Sequence, residues 1–377
     1  MQRDSLKRSP CRLTLATGDS FEGWSIGAPL RSSGELVFTT GMVGYAETLT
    51  DPSYYGQVLV FAYPMIGNYG VPENTGLTGS RAFESERIHA SAVVVHGDCT
   101  DAFHWRSLES LDEWLRSQNC PGIVGVDTRQ LVHIIRGQGT VLARIEPEGA
   151  TEATAFYSRD GFYNPTGTNL LPSVSRKDRV RLGSGNLKLA VIDCGVKWNI
   201  VRQLLSQADC EIELLPWDTD FSTVDCDAWI LSNGPGDPVK TGDLVARVRV
   251  LLSGTRPVLG ICLGHQIMAL ASGGRAVRMP YGHRSHNQPV RLTGTDRGFM
   301  TSQNHGFVIE HTSATSEWET WFENVNDGTI EGIKHRTKPF RSVQFHPEAA
   351  GGPRDTEWIV RDFVEEARTH ARASLAP

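Results

Sequence analysis

Seven cysteines occur in this 377-residue chain, and one of them stands in a setting suited to chemistry. Cys262 sits in Gly260-Ile261-Cys262-Leu263-Gly264, between an apolar run at Pro257–Ile261 and a helix-forming run that opens at Gln266–Ala271. A glycine-x-nucleophile-x-glycine turn of this kind joins a strand to a helix so sharply that bulky flanking residues would collide. It holds the central side chain up at the carboxyl edge of a sheet, where N–H groups at the helix start favour negative charge. Most cysteines are small buried core residues. The strand–turn–helix context with both glycines separates Cys262 from that ordinary fate.

A thiolate nucleophile needs a base, and the base needs an orienting carboxylate. Ser342-Val343-Gln344-Phe345-His346-Pro347-Glu348 supplies both. Residues two apart at the end of an extended segment point to one side, so His346 and Glu348 face one site while Pro347 stiffens the chain between them. Alone, His-Pro-Glu would read as a surface loop; beside the Cys262 turn it completes a triad. Ser232-Asn233-Gly234-Pro235-Gly236-Asp237-Pro238 follows a strand directly. Val239 and the interrupting Pro238 disfavour a dinucleotide loop. The alternatives are a plain strand–helix connection and a loop whose Gly236 N–H joins that of Leu263 to hold an oxyanion. Thr301–Phe307 is either pocket lining, rich in amide groups, or an ordinary hairpin turn. His265 falls in the helix start, and His283, His286 and His305 fall in polar stretches that read as loops without metal-ligand spacing.

The elements that must position these groups differ between the two halves. From Leu187 onward, strand and helix patterns alternate: strands at Leu187–Asp193, Glu211–Leu215, Ala228–Leu231, Pro257–Ile261 and Ser342–Phe345. Helices fall at Lys197–Gln207, Asp243–Leu252, Gln266–Ala271 and Asp355–Ala371. Such alternation predicts an α/β domain with a parallel sheet covered on both faces. The first half predicts strands at Leu13–Trp24, Gly34–Thr40, Gln57–Tyr63, Ala90–Val95 and Thr140–Ile145, with helices at Leu108–Arg116 and Arg129–Arg136. That is an α+β domain whose strand order is not legible. The polar, Gly/Ser-punctuated stretch near Leu171–Leu187 reads as a joint, giving domains at 1–171 and 187–377 with a linker at 172–186.

Composition excludes several classes. A net charge of −6 without a Lys/Arg block argues against a nucleic-acid groove. The longest apolar stretches, Gln57–Gly67 and Arg256–Leu263, are too short to span a bilayer. Met1–Pro10 carries three basic residues but no apolar core, so no secretory signal is expected. An odd cysteine count without C-x-x-C predicts neither a disulfide framework nor a zinc site, and a reduced cytoplasmic protein follows. No G-x-x-x-x-G-K-[ST] loop for ATP occurs.

GICLGHQ (Gly260–Gln266), SNGPGDP (Ser232–Pro238), QNHGF (Gln303–Phe307) and FHPE (Phe345–Glu348) together resemble a class I, triad-type glutamine amidotransferase. In the first half, Gly41–Tyr45, Leu49–Tyr54, Tyr63–Asn68 and Asp127–Arg129 resemble the amino-terminal domain of carbamoyl-phosphate synthase small subunits. Asp193–Ile200 does the same at the start of the second domain. The resemblance implies a doubly wound, flavodoxin-like, mostly parallel second domain. It implies that Cys262 attacks glutamine and forms a thioester, that His346 moves the proton, and that Glu348 orients His346. Gly236 and Leu263 would form the oxyanion hole. Ser53, Gly234, Gly236, Leu263, Gln266, Asn304, Gly306 and Phe307 would contact glutamine, with Ser53 reaching the pocket from the first domain. It implies no cofactor in this chain; ATP, magnesium and bicarbonate belong to a large synthetase subunit, the partner in a heterodimer or larger oligomer. That ligase would make carbamoyl phosphate for arginine and pyrimidine biosynthesis. Ser285 and His286 depart from the small residues that many relatives carry there. Two other readings stand beside this one: an amidotransferase serving another synthetase (for anthranilate, GMP or CTP), and a non-catalytic regulatory subunit.

Overall fold

The computed structural model describes residues 8–79, 82–97, 102–159, 161–312 and 315–375; Cys99 lies outside them. The described chain divides into two compact units. One draws on Met1–Thr50, Tyr54–Gly76 and Glu86–Pro165, the other on Asp51–Ser53, Leu77–Ser85 and Thr166–Pro377.

The first unit is a closed barrel of seven strands, β1 (Pro10–Leu15), β2 (Ser20–Gly27), β3 (Ser32–Thr39), β4 (Gln57–Phe61), β5 (Ala92–Val95), β6 (Pro121–Val124) and β7 (Val141–Pro147). They are ordered β1-β2-β6-β5-β4-β3-β7. Strands β3 to β6 are joined by parallel pairings, as in β4 with β5, and the others are antiparallel. The parallel members QVLVF and AVVV are continuous apolar runs, as strands buried on both faces must be. Leu13–Trp24 is not one strand: Gly18, at φ +96°, turns the chain between β1 and β2. The short α1 (Tyr45–Leu49) precedes β4. Helix α2 (Leu111–Ser117) starts at a capping box of Ser110 and Glu113, and α3 (Thr128–Gln138) at an Asp127 cap.

The second unit holds α4 (Leu171–Val174) and ten strands: β8 (Val180–Gly183), β9 (Leu187–Asp193), β10 (Cys210–Pro216), β11 (Ala228–Leu231), β12 (Val258–Ile261), β13 (Arg275–Leu292), β14 (Gly298–Glu310), β15 (Trp318–Asn324), β16 (Ile330–His335) and β17 (Phe340–Val343). They form one sheet in the order β14-β13-β15-β16-β17-β12-β11-β9-β10-β8. The five central strands, β10-β9-β11-β12-β17, are parallel. Their chain order, 2-1-3-4-5, is that of a doubly wound sheet. The rest of the sheet is antiparallel, so it is mixed and not mostly parallel. The strand–helix alternation ends at Ala271, and the long β13–β14 hairpin with β15 and β16 extends one edge. That hairpin is rich in Arg, His, Asn and Gln, whose polarity hides its strand pattern. The stretch read as a linker contributes α4 and β8, which closes the other edge against β10.

Helices α5 (Trp198–Leu205) and α8 (Trp358–Leu375) cover one face, packing Ile200, Val201, Leu204, Ile359, Val360 and Phe363 on Val191, Ile212 and Ile230. Helices α6 (Gly242–Leu251) and α7 (Leu263–Ala271) cover the other, where Leu244, Val248, Ile267 and Met268 meet Ile192, Trp229 and Val258. Parallel strands end together, so the loops after β9, β11, β12 and β17 gather at one sheet edge, where ligands of open α/β sheets bind. No helix among the described residues is long and apolar enough to cross a membrane.

Candidate active site

Cys262 joins β12 to α7 at φ 53° and ψ −103°, a backbone region that costs a non-glycine residue about 1–3 kcal/mol. The surroundings hold it there. Its N–H donates to the Val343 carbonyl (2.8 Å), and the Gly264 N–H donates to the Ser232 carbonyl (3.1 Å). A side chain on Gly260 would start 2.6 Å from Met268 Sδ, and one on Gly264 would run into the Leu231 carbonyl. Both glycines are thus required by close approach. Leu263 is the first residue of α7, so its N–H has no acceptor within the helix. Cys262 Sγ lies 3.8 Å from the Asn304 carbonyl and 3.7 Å from Gln344 Nε2.

His346 follows β17, its N–H bonded to the Ser302 carbonyl of β14 (2.9 Å). Its Nδ1 meets Glu348 Oε1 at 2.6 Å. Its Nε2 is buried and makes no hydrogen bond among the described residues. Burial disfavours charge on this imidazole, yet the Glu348 carboxylate outweighs it; Lys197 opposes and Cys262 adds, leaving the pKa above the ordinary value. The proton is therefore held on the ring beside Cys262.

Lys197, a residue to which sequence reasoning gave no role, completes the group. Its Nζ contacts Glu348 Oε1 at 2.9 Å, with both side chains buried. Burial pushes Glu348 up, and Lys197 and His346 together hold it well below the usual carboxylate range. Lys197 in turn is disfavoured as a cation by burial and favoured by Glu348, Glu84 and Asp51, with the net shift upward. Glu84 is pushed up to about 7, chiefly by burial. The backbone carbonyl of Glu348 accepts from Asn199 Nδ2 and from Gln203 Nε2 (3.4 Å) on α5. The signal for Lys197 was its position four residues beyond β9, at the same sheet edge as the triad.

The remaining expected site residues are tied into one wall. Asp51 Oδ1 accepts from the Ser53 N–H (2.9 Å) and Asn233 Nδ2 (3.3 Å), and its Oδ2 accepts from Asn304 Nδ2 (3.3 Å). Asn233 Nδ2 also donates to Ser53 Oγ (2.9 Å). Ser53, expected to reach the pocket, lies in the short stretch Asp51–Ser53 that groups with the second unit. Gln266 Nε2 donates to the Phe307 carbonyl and to Gln344 Oε1, both at 3.0 Å. Gly234 leaves no space for a side chain against Cys194 and Leu263, and Gly306 lies beside the Arg284 guanidinium. Gly236, at φ +90°, lies against Leu170. Asp51, Asn233 and Gln344, which bond to these expected site residues, had no role assigned from the sequence.

Thr301–Phe307 is a strand segment within β14 and not a turn. His283 and His286 lie in β13 and His305 in β14, so the reading as polar loops is corrected. His283 and His305 are both buried, His283 against Glu331 of β16 (3.3 Å) and His305 against Gln303 Oε1 (3.1 Å). With Glu331 they offer ligand atoms within 4.8 Å of one another, the group among the described residues that could hold a metal ion. His265 is buried against Ser342 Oγ (2.8 Å), and burial lowers its pKa to about 3, so it stays neutral. A thiol nucleophile, an imidazole that carries its proton, and a carboxylate that orients it are the parts of acyl transfer through a covalent intermediate.

The family model for glutamine amidotransferase class-I matches residues 190–366, and that for the carbamoyl-phosphate synthase small chain, CPSase domain, matches residues 13–145. The chain is 41% identical over 374 residues to the carbamoyl phosphate synthase arginine-specific small chain of Schizosaccharomyces pombe, covering 97% of this chain and 89% of that one. Its counterpart in Phaeosphaeria nodorum is 42% identical, over 95% of this chain and 76% of that one. The multifunctional protein CAD of Squalus acanthias is 44% identical over 94% of this chain, which spans only 16% of that polypeptide.

Proposed function

Since the chain belongs to the carbamoyl-phosphate synthase small chains, whose second half is a class-I glutamine amidotransferase, we propose that it is the glutaminase of such a synthase and works through Cys262. The Cys262 sulfur attacks the side-chain amide carbon of glutamine, and the amide oxygen becomes an oxyanion held by the N–H groups of Leu263 and Gly236. His346 passes its proton to the nitrogen, the C–N bond breaks, and ammonia leaves a γ-glutamyl thioester. Water then attacks the thioester while His346 takes its proton; the C–S bond breaks and glutamate departs. Glu348 keeps Nδ1 occupied, so that Nε2 faces the reaction. The acid–base pair contributes about 10²–10⁴-fold and each oxyanion donor about 10²–10³-fold. Ser53, Gly234, Gln266, Asn304, Gly306 and Phe307 hold the glutamine.

The observation that carries this reading is the 2.6 Å His346–Glu348 pair set beside a cysteine on a strained strand–helix turn. The ammonia goes to a large synthetase subunit that uses ATP, magnesium and bicarbonate to make carbamoyl phosphate for arginine or pyrimidine synthesis, in the cytoplasm. The much longer relatives in which this sequence forms a minor part support a synthetase partner. Sequestering the ammonia has a chemical motive, since ammonium, its main form at neutral pH, is not a nucleophile. The test is Cys262→Ser in the assembled enzyme: carbamoyl phosphate synthesis from glutamine is abolished while synthesis from ammonium persists. Equal loss with both nitrogen donors would overturn the proposal.

A further inference from the structure

We propose that His283 and Glu331 are positioning residues for glutamine binding: a buried, hydrogen-bonded pair that fixes the substrate-facing stretch of β14 through Gln303. The inference rests on the glutaminase reading above. Interior groups of a sheet are usually apolar, and polar ones must be fully hydrogen-bonded to be tolerated. Here Glu331, wholly buried on β16, gathers Gln303 Nε2 on β14 (3.1 Å), Asn324 Nδ2 on β15 (3.3 Å) and His283 Nδ1 on β13 (3.3 Å). The outer nitrogen of His283 meets Asp327 Oδ2 at 2.9 Å, in the turn between β15 and β16. One carboxylate thus ties four strands together.

The chain of contacts continues into the pocket. Gln303 Oε1, on the side-chain amide held by Glu331, lies 3.1 Å from His305 Nε2, and His305 Nδ1 lies 2.9 Å from the Phe307 carbonyl; the ring, kept neutral by burial, donates to one of these two oxygens at a time. That same carbonyl accepts from Gln266 Nε2. Between Gln303 and Phe307 lie Asn304, whose carbonyl is 3.8 Å from Cys262 Sγ, and Gly306. Gln303, held by Glu331, and the expected glutamine-contacting residues Asn304, Gly306 and Phe307 are thus neighbours on one strand, β14.

The groups facing His283 are Glu331 on β16, Asp327 in the turn, Asn324 on β15, and His305 on β14, whose ring stands edge-on at 5.0 Å. The neighbouring cation on its own strand is Arg284. Burial opposes charge on His283, and the two carboxylates outweigh it, so its pKa is raised.

The test is steady-state glutamate release from glutamine by the chain purified with its synthetase partner, for wild type, His283→Asn and Glu331→Gln. At neutral pH, KM for glutamine rises on the order of ten-fold in each variant, while kcat stays within about two-fold, because the lost contacts act on bound substrate and transition state alike. Folded variants with unchanged KM, or with a kcat loss at constant KM, would overturn the proposal. If Glu331→Gln does not fold, Asp327→Asn at the exposed end gives a smaller KM rise in the same direction. A stoichiometric transition metal on the wild-type complex that is lost with Glu331→Gln would also overturn it, by assigning His283, His305 and Glu331 to an ion. Absence of glutamate release by wild type would refute the glutaminase reading instead.

Discussion

Replacing Lys197 with methionine removes the cation that neutralises the triad carboxylate. Its ammonium is 2.9 Å from Glu348 and also acts on Glu84 and Asp51, and all three carboxylates are buried. Methionine keeps most of the volume, so lost packing is a minor part of the cost. The major part is Glu348, left in a low-dielectric interior with His346 alone. Breaking a buried pair from one side costs about 3–5 kcal/mol. For a unit of this size that lowers Tm by about 6–20 °C. Adding Glu348→Gln removes the stranded charge, so the double variant melts above Lys197→Met. The recovery is partial, because Asp51 and Glu84 still lack their cation. The sign with pH follows from the low pKa of Glu348. The stability it contributes is present above the ordinary carboxylate range and is lost as pH falls through the folded value. Without Lys197 that loss sets in at higher pH. Thermal melts of wild type, both single variants and the double variant across an acid series measure all of this. A Lys197→Met chain within about 0.5 kcal/mol of wild type, or a double variant whose loss is the plain addition of the singles, would refute the reasoning.

Three further outcomes follow from the site. Cys262→Gly, with no Cβ at φ 53°, is more stable to denaturant than Cys262→Ala by about 1–3 kcal/mol, reversing their usual order, and urea midpoints measure it. Glu348→Gln lowers kcat for glutamine hydrolysis by about 10²–10⁴-fold. It also removes the charge that raises the His346 pKa, so the alkaline limb of the kcat profile moves to lower pH. Gly264→Ala drives a methyl into the Leu231 carbonyl and destabilises the second unit by about 1–3 kcal/mol, read from its thermal midpoint.

The parts of the site that the sequence made legible are those with local grammar. Gly260–Gly264 declares a strand–helix turn through its glycines, and His346 with Glu348 declares itself by a spacing of two. The parallel core of the second unit was legible because strand and helix alternate as far as Ala271. The rest depends on contacts between residues far apart in the chain. Lys197 looks like any lysine after a strand until Glu348 is placed against it. His283 and His305 look solvent-facing because their partners, Glu331, Asp327 and Asn324, come from strands that the chain has not yet reached. The hairpin of β13 and β14 hides its strand character behind polar residues that are satisfied inside the sheet. The barrel of the first unit closes through pairings such as β2 with β6, which no local period encodes.

The membership of Asp51–Ser53 in the second unit bears on how the chain comes into being on the ribosome. Ser53 precedes its partner Asn233 by 180 residues, and Asp51 precedes Asn304 by 253. At about 5–20 residues per second, the nascent chain carries Ser53 for roughly 10–40 s before Asn233 is even polymerised. Throughout that interval the three residues have no native place to go. The glutamine-facing wall is thus among the last features to be assembled, and a fragment beginning at the second half would make its triad without that wall.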